Sequence, residues 1–565
     1  MKKNNYFTIT LLSLILIVSC NKDFLEVSDP NNIDKAKFWV SEENAEKAVN
    51  AIYSSMKEPE FLGLNYHKYA SFISGEYDNP YSQDQDRVEF VNFTLKSENR
   101  IIWLMWKDIF RCIMRCNDVI SHVPEISDEM ISQNKKDQFI GEAYFLRGLS
   151  ELYCFQMFGK YYPDKDTSAL GIPIITKVAP TREDMFVTRN SAGSSYRQII
   201  SDFNKAKDLL PESYDNTNIG RATKGAAIAY IARTNMWMGY YDEAIEAYDE
   251  LFTMNLYQLV DNYYDNFNGT NENNTESIFE MQFEDITPLN PWKGGAGQPL
   301  ATEFAPPQLG RGNAAVSFET SDYYAKEYTI TQGYLDSSVT SEMPADMYSY
   351  ISSLVGQNVD PVVFRQNLID MFSSDTYYDN MVRIYKYIDG SWDPRWKATA
   401  FQPGDSVLNG NIYTYDGANY RPKKFVDPNI NSNNSSNLAS SVNIVIFRLG
   451  YAYLQYAEAQ NEIGDLVTAC EYVNKLRHRA YNSNPALLHE LDPAALTTEQ
   501  FIDTLKLESF REICGEFTRW QDIVRWGDTE KYCDRRGFVK GIHEVLPIPI
   551  DELDLNPNME QNLGY

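Results

Sequence analysis

The sequence has no HExxH pair, no GxSxG elbow and no Walker loop, and its five histidines (His67, His122, His478, His489 and His543) fall in no metal-binding spacing. Zinc-hydrolase, serine-esterase and P-loop chemistry have no motif to work from, and no cofactor or metal ligand set is expected. Basic charge is also scarce: 51 Lys and Arg stand against 79 Asp and Glu, a net −28. Such a surface repels phosphate backbones, which argues against nucleic acid as a partner. Cysteine is sparse, at seven in 565 residues. Cys112 and Cys116 lie one turn apart on an expected helix, and Cys154, Cys470, Cys514 and Cys533 are scattered. Without zinc spacing or a dense framework, these six read as buried thiols. Only one apolar run stands out.

That run lies at the start, MKKNNYFTITLLSLILIVSC, with Lys2 and Lys3 as a basic head and about 14 largely apolar residues from Tyr6 to Ser19. A bilayer-spanning helix needs about 20 apolar residues, so the run reads as a signal peptide. Ile17, Val18 and Ser19 before Cys20 resemble a bacterial lipobox, which implies that Cys20 is acylated and begins the mature chain. Losing Lys2 and Lys3 takes the charge from −28 to −30. Acyl chains contribute about 0.8 kcal/mol per buried methylene, enough for several to hold a body on a membrane.

What the sequence has in plenty is aromatic residues, 14% of the chain with 39 Tyr and 9 Trp, and helical periodicity at both ends. Ser41 N-caps an expected helix with Ala45, Ala48, Val49 and Ile52 on one stripe. Residues 99–120 are apolar round most of a helix and are expected to be deeply buried, Trp103 and Trp106 with them. Residues 226–251 and 447–477 each read as a small-and-aromatic helix, a glycine (Gly239, Gly464) and a second helix carrying Ala244 or Ala469. This pattern resembles the tetratricopeptide hairpin, which cannot bury its face alone, so degenerate copies are expected among the N-terminal helices. Between the hairpins, 255–445 loses helical period and is rich in Asn, Gly, Tyr and Pro.

The C-terminal third is more specific. In LESFREICGEFTRWQDIVRWG (507–527), Glu508, Arg511, Glu512, Glu516, Arg519, Trp520, Asp522 and Arg525 fill a pattern that resembles the signature helix of the SusD/RagB family. Phe510 and Phe517 stand where that pattern has Glu and Gly. LPIPIDELDLNPNMEQNLGY resembles the family's terminal motif, EAYFLRGLSELYCFQMFGKYYP its E-A-x-F-L-R-A helix, and Asp393-Pro394-Arg395 its D-x-R element. FLEVSDPNNIDKAKFWVSEENAEKAVNAIY resembles its N-terminal segment, and the likeness spans the whole mature chain.

The resemblance implies a mainly α, tetratricopeptide-like scaffold with little β structure. The expected organisation is a signal peptide (1–19), a lipidated tether (20–40) and a single domain (41–565), with helical scaffold at 41–254 and 446–565 and a loop-rich binding region at 255–445. It further implies a lipid-anchored, outer-membrane protein facing the cell exterior that captures glycan, or in some branches peptide. Such a protein passes its ligand unchanged to a SusC-like TonB-dependent transporter. Family sites implicate 65–87 and 290–299. Sugars present an apolar C–H face and a rim of hydroxyls, so Trp292 is the first candidate platform. Tyr77 and Tyr81 come second, and Asp78, Asn79 and Arg311 are the polar candidates, with core packing as the plain alternative for each aromatic.

A glycoside hydrolase is the rival reading. It needs two carboxylates about 5–10 Å apart, and Glu508, Glu512 and Glu516 lie one helical turn apart. Arg511, Arg519 and Arg525 interleave with them, so structural ion pairs are expected instead.

Overall fold

Ser41 Oγ accepts the Asn44 N–H at 3.3 Å and starts α1 (Glu42–Met56), whose Ala45, Val49 and Ile52 form the expected buried stripe. The computed structural model describes residues 38–78, 83–179, 181–284, 297–304, 317–318, 393–401, 404–407, 411–412, 421–426, 440–482, 488–533 and 536–565. Cys20, Asn79, Tyr81, Trp292 and Arg311 lie outside them.

After α1 come α2 (Asn65–Ser74), strand β1 (Tyr77–Asp78), α3 (Gln85–Asn92), α4 (Arg100–His122), α5 (Gln133–Phe158) and α6 (Ala192–Leu209). Burial differs from the sequence expectation here. α4 buries only a stripe, including Ile102, Met105, Trp106, Ile109, Ile113 and Cys116, with Trp103 half-buried beside it. The helix surrounded on all sides is α5, with 20 of its 26 residues buried, because α1, α4 and α6 all pack on it. Arg147 of α5 pins these neighbours. It donates to both Asp202 oxygens of α6 at 2.6 and 2.8 Å and to Asn117 Oδ1 of α4 at 2.6 Å.

The first expected hairpin is α7 (Lys224–Met238) with α8 (Tyr241–Thr253), turned by Gly239 at φ +73°. The described chain then carries β2 (Ser277–Met281), α9 (Leu300–Phe304), β3 (Ser317–Phe318), α10 (Trp396–Thr399), β4 (Ser406–Val407), β5 (Asn411–Ile412) and β6 (Ile444–Arg448). The second hairpin is α11 (Leu449–Glu462) with α12 (Leu466–Ala480), turned by Gly464 at φ +91°. Ala244 and Ala469 are fully buried, as close helix approach requires. The hairpins pack side by side: Tyr248 donates to Gln455 at 2.6 Å, Tyr456 donates to Asp249 at 2.7 Å, and Phe252 sits among Tyr453, Tyr456 and Tyr472. Strands pair only two by two among the described residues (β1–β3, β2–β6 and β4–β5, all antiparallel), so the fold is mainly α.

The 507–527 segment is two helices rather than one. α13 (Thr498–Ile513) ends at a turn and α14 (Arg519–Trp526) follows, because Gly515 (φ +75°) and Phe517 (φ +64°) are both left-handed and cannot continue a right-handed helix. Phe517 is held there by its ring, which packs on His67 (4.0 Å between centroids), Phe425 (5.9 Å) and Phe304 (6.0 Å). Short helices α15 (Thr529–Cys533) and α16 (Ile550–Leu555) complete the chain. Cys112, Cys116, Cys154, Cys470, Cys514 and Cys533 are all buried free thiols.

Candidate functional site

The three glutamates of α13 and its turn face inward. Glu508 pairs with Arg395 (2.6 Å) and Arg477 (2.8 Å); Glu512 pairs with Arg395 and Arg448 (both 2.7 Å) and with Arg479. Glu516 pairs with Arg448 (2.8 Å) and Lys424 (2.7 Å). Asp393 grips Arg395 through two hydrogen bonds (2.8 and 2.7 Å), and Glu276 pairs with Arg448 (2.6 Å) and Arg479 (3.0 Å). Five carboxylates thus meet five close cations in a largely buried set. Burial opposes ionisation of Glu512, yet Arg479, Arg448 and Arg395 outweigh it and hold its carboxyl well below the usual range. Burial is likewise overcome at Glu516 by Arg448 and Lys424.

Ion pairing is therefore as expected, but with different partners. Arg525 binds Glu458 and Asp522, Arg519 stacks on Phe510, Trp526 and Tyr532, and Arg511 reaches Asp393 at 4.0 Å. The glutamates' own partners come from β6, α12, residue 424 and the Asp393–Arg395 element. Only the last of these stood out in the sequence. Every carboxylate of the trio already serves at least two cations, which leaves none to protonate a leaving group.

Of the two stretches expected to bind ligand, 65–87 is partly core. α2 is buried along all ten of its residues. Tyr77 is buried too, edge-on to Phe304 at 5.2 Å and to Phe517 at 6.5 Å. A ring covered in this way offers no open platform, so Tyr77 is a packing residue and its expected binding role is corrected. Asp78 enters β1 opposite Ser317, its side chain lying outside the described residues.

The structure nevertheless ties the 65–87 stretch to α9, which follows the 290–299 stretch. Glu303 of α9 pairs with Lys68 and with Arg87, both at 2.9 Å, and Arg87 also holds Asp84 at 2.6 Å. Burial opposes the Glu303 charge, but Lys68 and Arg87 keep its carboxyl below its ordinary value. No local pattern signals this cluster, because Glu303 is more than two hundred residues from Lys68 and Arg87. The chain on either side of Trp292 is tied to one place: Phe283 N–H donates to Asn443 Oδ1 at 2.8 Å, while Gln298 and Ser440 exchange backbone hydrogen bonds at 2.6 and 3.1 Å.

The SusD family profile matches residues 275–537, and a second profile, described as starch-binding and associating with the outer membrane, matches 23–236. The chain belongs to the SusD family. It is similar to SusD-like protein P38 of Formosa agariphila, at 25% identity with 100% of both chains covered. It is also similar to the starch-binding protein SusD of Bacteroides thetaiotaomicron, at 25% identity over 75% of this chain and 72% of that one. Among solved structures, a SusD-like carbohydrate-binding protein of Bacteroides fragilis matches with a TM-score of 0.71 at 19% identity, covering 93% of this chain and 100% of that one. A laminarin-binding SusD-like protein matches with a TM-score of 0.60 at 21% identity, covering 93% and 100%. These structural likenesses show that the chain has the SusD fold.

Proposed function

We propose that this SusD-family chain is an outer-membrane lipoprotein, anchored through Cys20 and facing the cell exterior. In this role it captures oligo- or polysaccharide and passes it, chemically unchanged, to a SusC-like TonB-dependent transporter. The observation that carries the reading is the meeting of the 65–87 stretch with α9 at Lys68, Arg87 and Glu303. The names of relatives that bind starch or laminarin support glycan as the ligand class. Consumption of Glu508, Glu512 and Glu516 in buried ion pairs supports capture without hydrolysis. Trp292 is the proposed platform; Tyr81, Asp78, Asn79 and Arg311 are the proposed surrounding contacts.

Calorimetric titration of residues 21–565 against starch, laminarin, anionic glycans and short peptides tests the reading. Saturable binding to one glycan class with no product released is expected. Trp292→Ala should weaken that binding by about tenfold or more. Binding to peptides alone would reassign the ligand, and cleavage of any panel member would make the chain an enzyme.

A further inference from the structure

Two adjoining clefts, of about 290 and 340 Å³, open between the 212–221 turn, α1 and β2. They share Ile219, Gly220, Arg221 and Glu280 as a common ridge. Pockets for small ligands usually measure about 300–1,000 Å³, so the pair has room for a short oligosaccharide.

Two tyrosines line the first cleft. Tyr214 donates its hydroxyl to Ala222 O at 3.0 Å, and the Tyr257 hydroxyl lies 3.4 Å from Thr223 Oγ1. Both rings are thus fixed at their polar ends to the turn that caps α7, while their half-buried bodies line the cleft. Gly225 permits this seating, because a Cβ there would lie 2.3 Å from the Tyr257 hydroxyl. Ile219 and Leu256 add apolar surface, 51% and 40% exposed. The second cleft is lined by polar Asn50, Thr217, Asn218 and Gln282, each already hydrogen-bonded within the chain, and by the oppositely charged Lys57 and Glu284.

Charge at the ridge is already committed. Arg221 holds Glu142 and Glu46 at 3.0 Å and Asn50 at 2.9 Å, while Glu280 accepts the Asn273 N–H at 3.0 Å and the Asn443 amide at 3.0 Å. The ridge offers an anionic ligand no unpaired cation, and the charges of Lys57 and Glu284 in the second cleft offset each other. Fixed ring bodies beside an amide-lined half suit a neutral sugar chain.

We propose that this double cleft is a second saccharide subsite, which takes a neutral oligosaccharide with sugar faces on Tyr214 and Tyr257 and hydroxyls in the amide-lined half. The proposal rests on the glycan-capture reading. Its position adds a reason: Glu284 borders the second cleft, and the chain reaches Trp292 eight residues later. A long glycan held at two points gains avidity without any new contact.

Hydrogen-exchange mass spectrometry on residues 21–565, with maltohexaose, laminarihexaose, starch and laminarin as probes, tests it. With at least one probe, exchange should slow across 212–223 and 254–259, and this protection should persist in Trp292→Ala. The double variant Ile219→Arg/Leu256→Arg changes exposed positions; its thermal midpoint should match the parent while affinity for the polymer falls about tenfold. Glucan binding with no protection in the cleft, or with affinity unchanged in the double variant, overturns the subsite and leaves capture standing. Binding of no glucan removes the subsite as stated, capture itself falling only if the anionic glycans also fail to bind, and cleft protection by peptides alone overturns the ligand class.

Discussion

Phe517 holds a left-handed backbone that costs a non-glycine residue about 1–2 kcal/mol, and its ring offsets that cost by filling a buried niche against His67, Phe304 and Phe425. Truncation should separate the two effects. Phe517→Ala loses the ring and keeps the strain, about 3–5 kcal/mol in all, whereas Phe517→Gly loses the ring and relieves the strain. The glycine variant should therefore be the more stable by about 1 kcal/mol in urea unfolding, the reverse of the usual order. Glu76, close by, is buried and accepts the Gly515 N–H at 3.4 Å. Burial pushes its carboxyl up to about 7 despite Arg519 nearby. Between about 4.3, the unfolded value, and 7, the folded chain binds the extra proton, so this group lowers stability as pH rises through that window. Glu76→Gln keeps the acceptor and should gain up to about 3 kcal/mol over the parent at pH 8 relative to pH 4. An equal difference at the two pH values would disprove the assignment. Tyr77 shows why single residues in the binding region were hard to read: a tyrosine suits a core and a platform equally well, and only its cover by Phe304 and Phe517 decides.

Elements were legible where small residues recur at helical spacing. Both hairpins stand where Gly239, Ala244, Gly464 and Ala469 put them, since a tight turn and a close helix approach each leave a local mark. The break between α13 and α14 was only half legible: Gly515 marks it, but Phe517 hides a second left-handed position that glycine would have announced. The ionic partners of α13 were also hidden: Arg395 and Glu512 are 117 residues apart, and helical spacing drew attention to Arg511 instead. Removing Glu512 leaves Arg395, Arg448 and Arg479 short of a buried counter-charge. Glu512→Ala should cost about 3–5 kcal/mol in denaturant unfolding, and a loss below about 1 kcal/mol would show the network to be solvated. Its pH signature is opposite to that of Glu76: the lowered carboxyls of Glu512, Glu516 and Asp393 supply stability above the unfolded carboxyl value, and it is lost as pH falls through their folded values.

At the scale of the whole molecule, the C-terminal tail, which follows the 275–537 region directly, folds back onto the 23–236 region. Leu546 N–H donates to Met157 O at 2.7 Å and Ile550 N–H to Ser97 O at 2.9 Å, while Asn562 donates to Phe158 O at 3.0 Å and accepts from Arg189 at 2.9 Å. Deleting 546–565 should therefore lower the calorimetric midpoint of the entire body in one cooperative transition. A separate, unshifted transition from the N-terminal helices would contradict that coupling. The buried ionic set adds a matter of timing. In order of synthesis its members appear as Glu276, Asp393, Arg395, Lys424, Arg448, Arg477 and Arg479, then Glu508, Glu512 and Glu516. Until the last three emerge, two carboxylates face five cations, and no partial chain can shut that interior without trapping bare positive charge. The final tenth of the polypeptide is thus the key to the first nine: a chain that stops short of Glu508 cannot close this interior.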